Sequence, residues 1–239
     1  MNTTHDIGSL KKQSRMAAFL YFVNGLPAPF ALLYVPSVLI VRGDAAATAN
    51  NIRDSEALLR LGMAVELFSS TIVIFAMLAF YHLFKRVSQK HAMALMILML
   101  ISVPISYLNV LNDLAALTLA RGAPFLSAFD RLQLDALSYL FMRLHGQGII
   151  VAQIFWGLWL FPFGIVAMRS GFIPRFVGIA AIVAGSGYVI SSSVSLFLPA
   201  SAQSTGQLAM ILGVGELAFL WLLIWGAKEQ QIRPPPAIA

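Results

Sequence analysis

Long apolar runs, separated by short polar clusters, dominate the chain from residue 16 to residue 227. A helix needs about 20 predominantly apolar residues to cross roughly 30 Å of hydrocarbon. Six runs meet that requirement: residues 16–41, 58–81, 92–120, 144–168, 176–198 and 207–227. The pattern predicts an all-α polytopic integral membrane protein, with six transmembrane helices bundled into a single membrane domain over residues 1–239. Residues 1–15 are expected as a cytoplasmic N-terminal segment. Residues 228–239, which contain Pro234, Pro235 and Pro236, are expected as an extended cytoplasmic tail.

The polar connections predict the boundaries. Asp44 is placed to cap a short alanine-rich helix over residues 45–50, and Asp54 or Ser55 to cap the second span. Gly171 suits the end of the fourth span and Pro174 the start of the fifth, which makes those two antiparallel neighbours. In the longest loop, Leu126, Phe129, Leu132, Leu137, Leu140, Phe141 and Leu144 recur at helical spacing, predicting a short interfacial helix that runs into helix four. Pro27, Pro29 and Pro36 should bend the first span. Gly178, Gly185 and Ser192 offer a small-residue packing face on the fifth.

Composition removes the soluble alternative. Of the 239 residues, 59% are hydrophobic and 11% charged, against about 25% charged in an ordinary soluble domain, and the mean hydropathy is +0.81. The absence of cysteine excludes disulfides, thiolate zinc sites, iron–sulfur clusters, covalent haem and thiol nucleophiles. The net charge of +6 does not imply nucleic acid, because the 16 basic residues sit at span ends and form no stripe. Ten fall on one side: Lys11, Lys12, Arg15, Lys85, Arg86, Lys90, Arg169, Arg175, Lys228 and Arg233. Arg42, Arg53, Arg60, Arg121, Arg131 and Arg143 fall on the other, accompanied by Asp44, Asp54, Glu56, Asp130 and Asp135. The positive-inside rule then puts both termini in the cytoplasm of a cell whose inner membrane holds the chain.

Ionisable groups at the centre of a spanning helix cost at least ~2.5 kcal/mol each. Glu66, Asp113 and Glu216 lie ~12, ~10 and ~13 Å below the outer ends of their helices at ~1.5 Å per residue. His145 opens helix four slightly above them, with Arg143 at the rim. Ser102, Ser106, Asn109 and Asp113 form one stripe on helix three, with Asn112 at its edge. The common depth predicts a polar cavity, open to the outer side, whose ligand-binding residues are Glu66, Asn109, Asn112, Asp113, His145 and Glu216. A small cationic or amphiphilic ligand, or relayed protons, would suit it. The same groups also serve as interhelical hydrogen-bonding glue, and a scaffold role stays open. So does a membrane-embedded enzyme, a lipid-modifying hydrolase using the carboxylates with or without a divalent ion.

A non-enzymatic role is the leading reading, with no catalytic residues assigned. The lipid bilayer is the expected partner, and no cofactor or metal is expected, since His145 is the sole imidazole on the outer side and His5, His82 and His91 lie at the other. If a metal bound, its ligands would be Glu66, Asp113, His145 and Glu216. Trp221 and Trp225 suit an interfacial belt, Trp156 and Trp159 suit core or lipid packing, and the serines from Ser191 to Ser195 suit helix-end polarity.

Five strings occur in order: residues 43–52 (Gly-Asp-Ala-Ala-Ala-Thr-Ala-Asn-Asn-Ile), 59–62 (Leu-Arg-Leu-Gly), 144–146 (Leu-His-Gly), 155–157 (Phe-Trp-Gly) and 169–175 (Arg-Ser-Gly-Phe-Ile-Pro-Arg). Together they resemble the bacterial family called domain of unknown function 4386, over roughly residues 15–227. The resemblance implies a bacterial multi-pass membrane protein. That family has no established activity, so it brings no catalytic or binding residues.

Overall fold

The computed structural model describes residues 3–198 and 213–227, with side chains from residue 10 onward. Backbone in hydrocarbon must satisfy its polar groups internally, and the described residues accordingly contain helices and no strand. In chain order these are α1 (Thr3–Gly25), α2 (Val35–Leu39), α3 (Ala45–Asp54), α4 (Glu56–Phe84), α5 (Gln89–Arg121), α6 (Arg131–Leu158), α7 (Leu160–Ser170), α8 (Arg175–Phe197) and α9 (Phe219–Ile224). Five runs are long and apolar enough to cross a membrane: Leu10–Leu39, Glu56–Phe84, Gln89–Arg121, Arg131–Ser170 and Arg175–Phe197. The molecule is a multi-pass membrane protein of packed helices. The expected sixth span, 207–227, lies partly outside the described residues. Its described part is a shorter apolar helix, Val214–Ile224, which opens with a 3₁₀ stretch. The expected tail, 228–239, lies outside them too.

Two expectations need correction. Residues 3–15 are not a separate segment, because α1 runs through them without a break. Nor is there a distinct interfacial helix before helix four. An Asp130–Gln133 capping box starts α6 at Arg131, with Gln133 N–H donating to Asp130 at 2.8 Å and Asp130 N–H to Gln133 Oε1 at 3.0 Å. That helix is then continuous past His145, and Ser138 donates to the Ala116 carbonyl of α5 at 2.8 Å. The apolar spacing of residues 126–144 thus serves packing on α5. Pro162 accounts for the break between α6 and α7, since a proline ring clashes with the carbonyl four residues earlier, at Leu158.

The caps follow the sequence in part. Asp44 accepts from Ala47 N–H at 2.8 Å, and the helix it starts extends to Asp54, beyond Asn50. Ser55 occupies the N-cap position of α4, but its side chain makes no capping bond. Gly171, at φ 73°, terminates α7 as expected.

The core is divided. One apolar cluster, around Phe80, Phe84, Trp159, Phe163 and Phe219, fills the end of the bundle that carries Lys11, Lys85 and Arg175. A second, around Leu39, Ile52, Leu59, Met63, Val110 and Met142, fills the opposite end. Between them lies a polar belt, and the outer surface is apolar: on α5, Ile97, Ile101, Leu108 and Leu111 are exposed while Ser102, Ser106, Asn109 and Asp113 are buried. A water-soluble helix has the reverse arrangement.

Ion pairs and caps tie the ends. Asp135 is held by Arg53 and Arg131, each at 3.1 Å, and both guanidiniums also donate to the Ala120 carbonyl at the C-terminus of α5. Glu56 pairs with Arg60 at 2.8 Å and Arg121 at 3.2 Å. At the other end, Arg15 Nε donates to the Leu223 carbonyl at 3.0 Å and Ser14 Oγ accepts from Ala227 N–H at 2.7 Å, fastening α9 to α1.

Candidate functional site

The helical period sets the polar belt. Ser102, Ser106, Asn109 and Asp113 recur at four, three and four residues, so one face of α5 presents them all to α4 and α6. Asn109 Nδ2 donates to the His145 carbonyl at 2.9 Å, and its Oδ1 accepts from the half-buried Asn112 at 3.0 Å. This approach depends on Gly148, where a Cβ would overlap the Asn109 amide.

His145 lies inside α6, level with Asp113. Its Nδ1 is 3.0 Å from Asp113 Oδ1 and its Nε2 is 3.8 Å from Glu66 Oε2. Each of the three residues is less than 10% exposed. The 3.0 Å approach is off the axis of an N–H···O bond, and neither atom has a hydrogen-bond partner. Glu66 Oε1 and Ser69 Oγ are likewise buried without one. Side chains from α4, α5 and α6 therefore meet as the depth argument expects, with three potential ligand atoms within 4.8 Å of one another.

Glu216 does not join them. It accepts a very short hydrogen bond from Tyr21 of α1 and a second from Tyr188 of α8. Tyr188 lies 13 residues from the start of α8, and Glu66 lies 18 residues from the end of α4. At ~1.5 Å per residue the two carboxylates differ in level by about 7 Å. The sequence argument erred here because it measured depth from the expected outer end of the sixth span, and the stretch containing Glu216 is a 3₁₀ turn against α8. Arg143 is exposed and is not part of the cluster. Asn109 and Asn112 buttress it through hydrogen bonds without lining any cavity.

The two carboxylates are related by a cavity of about 580 Å³. Glu66 stands on its wall with Ser69, Ser70, Ser102 and Ser106, and Glu216 with Tyr21, Trp156, Tyr188, Ser191 and Ser195. Ser191 and Ser195 are thus cavity residues and not mere helix-end polarity. Trp156 borders this space while also packing on the core, and Trp159 is fully in the core. Asn24, Gly25, Ala28 and Pro29 close the wall where α1 breaks, and residues Phe30–Tyr34 follow as a π-helix. Irregular backbone at membrane depth occurs where it lines a cavity, and π stretches concentrate at functional sites.

Sequence reasoning missed Tyr21, Gln153, Trp156 and Tyr188 as cavity residues, and Asp135 as a buried acid. A signal was present: Tyr188, Ser191 and Ser195 recur at three and four residues, as do Ile149, Gln153 and Trp156.

Three comparisons bear on kinship. An uncharacterized protein of Archaeoglobus fulgidus is 30% identical over 87 residues, which is 36% of this chain. The match covers 51% of that protein, so the chain spans about half the length of the curated relative. No solved structure matches the chain. The model of the family described as "Domain of unknown function (DUF4386)" matches residues 16–226, and with nearly the whole chain covered, the protein belongs to that family.

Proposed function

We propose that this chain is a six-span protein of the bacterial cytoplasmic membrane, with both termini inside, whose central cavity binds a small amphiphilic cation. One observation carries the reading. The cavity wall includes two carboxylates, Glu66 and Glu216, and no Lys, Arg or His. A low-dielectric chamber with acidic walls concentrates positive charge. Tyr21, Trp156 and Tyr188 add aromatic surface of the kind that receives quaternary ammonium groups. A volume of about 580 Å³ lies within the range of about 300–1,000 Å³ for small-molecule pockets.

Orientation follows the partition of charge. Lys11, Lys12, Arg15, Lys85, Arg86, Lys90, Arg169 and Arg175 collect at one end, while at the other Arg53, Arg60, Arg121 and Arg131 are neutralised by Glu56 and Asp135. The unbalanced basic end is assigned to the cytoplasm. The break in α1, where Gly25 and Pro29 are exposed, is assigned as the mouth, in the outer half of the membrane.

The test uses two ions of like size and opposite charge, tetraphenylphosphonium and tetraphenylborate, with purified full-length protein in detergent. The cation is expected to bind saturably and at least tenfold more tightly than the anion. Glu216→Gln is expected to abolish that preference. Equal binding of both ions, or an unaltered preference in Glu216→Gln, contradicts the reading.

A further inference from the structure

We infer that Glu66, Asp113 and His145 form a binding site for one first-row divalent cation, Mn²⁺, Fe²⁺ or Zn²⁺. The site goes beyond the organic-cation reading and lies at the opposite side of the cavity from Glu216.

Three unpartnered atoms carry the inference. Glu66 Oε1, Asp113 Oδ1 and His145 Nδ1 are buried without a hydrogen bond, each on a side chain that is more than nine-tenths buried. An unsatisfied polar atom in a protein interior costs about 1–3 kcal/mol, and more when charged, so three in one place need a common partner. They come from α4, α5 and α6, and one ligand atom of each lies within 4.8 Å of the others.

The spacing suits an ion better than a hydrogen bond. Two ligand atoms about 2.1 Å from one ion and at right angles are about 3.0 Å apart. Asp113 Oδ1 and His145 Nδ1 stand at that separation, 3.0 Å, with the N–H direction off the line between them. Glu66 closes the remaining gap by a change of rotamer. Because Glu66 also lines the cavity, the site has a path by which an ion enters.

Donor chemistry narrows the ion. Carboxylates alone suit Mg²⁺, Ca²⁺ and Mn²⁺, and an imidazole shifts preference toward Zn²⁺ and Fe²⁺. Two carboxylates and a neutral imidazole around a divalent ion sum to zero charge, which removes the principal penalty for carrying two acids into a bilayer. Three protein ligands leave positions for water. The surrounding shell is already fixed, since Asn109 grips the His145 backbone and is itself held by Asn112. Protons and trapped water are the competing occupants.

The experiment strips the purified full-length protein with a chelator, adds ZnCl₂ or MnCl₂, removes unbound metal and measures both metal content and thermal unfolding. One ion per chain and a concentration-dependent rise in Tm are expected. His145→Ala and Asp113→Asn should each weaken binding at least tenfold. His91→Ala, whose imidazole bonds Ser88 far from the site, should retain the ion. Glu216→Gln should also retain it while losing tetraphenylphosphonium, so the two proposals fail separately. Wild-type protein that takes up no stoichiometric metal, or whose Tm responds to pH but to neither ion, overturns the inference. So does equal metal retention by wild type and His145→Ala.

Discussion

Gly157 of α6 and Gly185 of α8 meet backbone to backbone: a Cβ on Gly157 would lie 2.7 Å from the Gly185 carbonyl oxygen, and one on Gly185 would lie 2.6 Å from that of Gly157. Seven residues further along, Gly164 and Gly178 repeat the contact, each with a Cβ that would fall 2.6 Å from the other's carbonyl. Small residues let membrane helices approach this closely. Gly157→Ala and Gly185→Ala are each expected to cost about 1–3 kcal/mol through overpacking. Gly146 has open space around its missing Cβ, so Gly146→Ala is expected to be neutral or to stabilise by up to about 1 kcal/mol. Reversible unfolding in mixed micelles compares the three, and the opposite signs are the check.

Gly148 and Asn109 are coupled in the same manner. Alanine at Gly148 would displace the Asn109 amide and break its bond to the His145 carbonyl. Gly148→Ala, Asn109→Ala and the double variant should therefore be non-additive. Their double-mutant cycle is expected to return a coupling of about 0.5–3 kcal/mol. Strict additivity would mean that Asn109 does not position His145.

Asp135 is the acid on which the loop end depends. Its side chain is 7% exposed, and Arg53 and Arg131 converge on it from α3 and α6. Removing one partner of a buried pair costs about 3–5 kcal/mol. The two guanidiniums keep some solvent contact, at 27% and 45% exposure, so the expected loss for Asp135→Ala is smaller, about 1–3 kcal/mol. Glu56, at 29% exposure, should contribute under about 1 kcal/mol to its pairs. Thermal unfolding of Asp135→Ala and Glu56→Gln tests the ranking.

Tyr21 and Tyr188 both donate to Glu216. Tyr21→Phe removes one donor from a deeply placed acceptor and is expected to destabilise by about 1–3 kcal/mol. The same change should leave metal uptake at Glu66 unaltered, because Tyr21 touches Glu216 and not the imidazole cluster. Metal content of Tyr21→Phe checks this point.

The spans were readable because bilayer thickness imposes a length that hydropathy reports directly. Expected limits 92–120 and 176–198 lie within three residues of α5 and α8. The meeting of Glu66, Asp113 and His145 was readable for a related reason, since rise per residue converts position into depth. Depth alone does not say which helix faces are neighbours, and Glu216 failed on that ground: it turns toward Tyr21 and Tyr188 and away from the imidazole. The cavity was only half visible. Its stripes on α5 and α8 exist in the sequence, but stripes identify a polar face without telling packed contact from open space. The fusion of residues 131–143 with helix four turned on the Asp130–Gln133 capping box, a local signal outweighed by the length of the loop.

The central claim is that the space between Glu66 and Glu216 is aqueous and attracts positive charge. The absence of cysteine allows single replacements to be labelled without background. The most direct measurement is the reaction of Ala28→Cys and Ser70→Cys, both on the cavity wall, with trimethylammonium and sulfonate methanethiosulfonates, each rate normalised to that of a free thiol. Leu108→Cys, on the lipid-facing side of α5 at 65% exposure, is the reference. The expected result is labelling at Ala28→Cys and Ser70→Cys, at least tenfold faster with the cationic reagent, and none at Leu108→Cys. Cavity thiols as inert as Leu108→Cys, or quicker to react with the anion, would contradict the account.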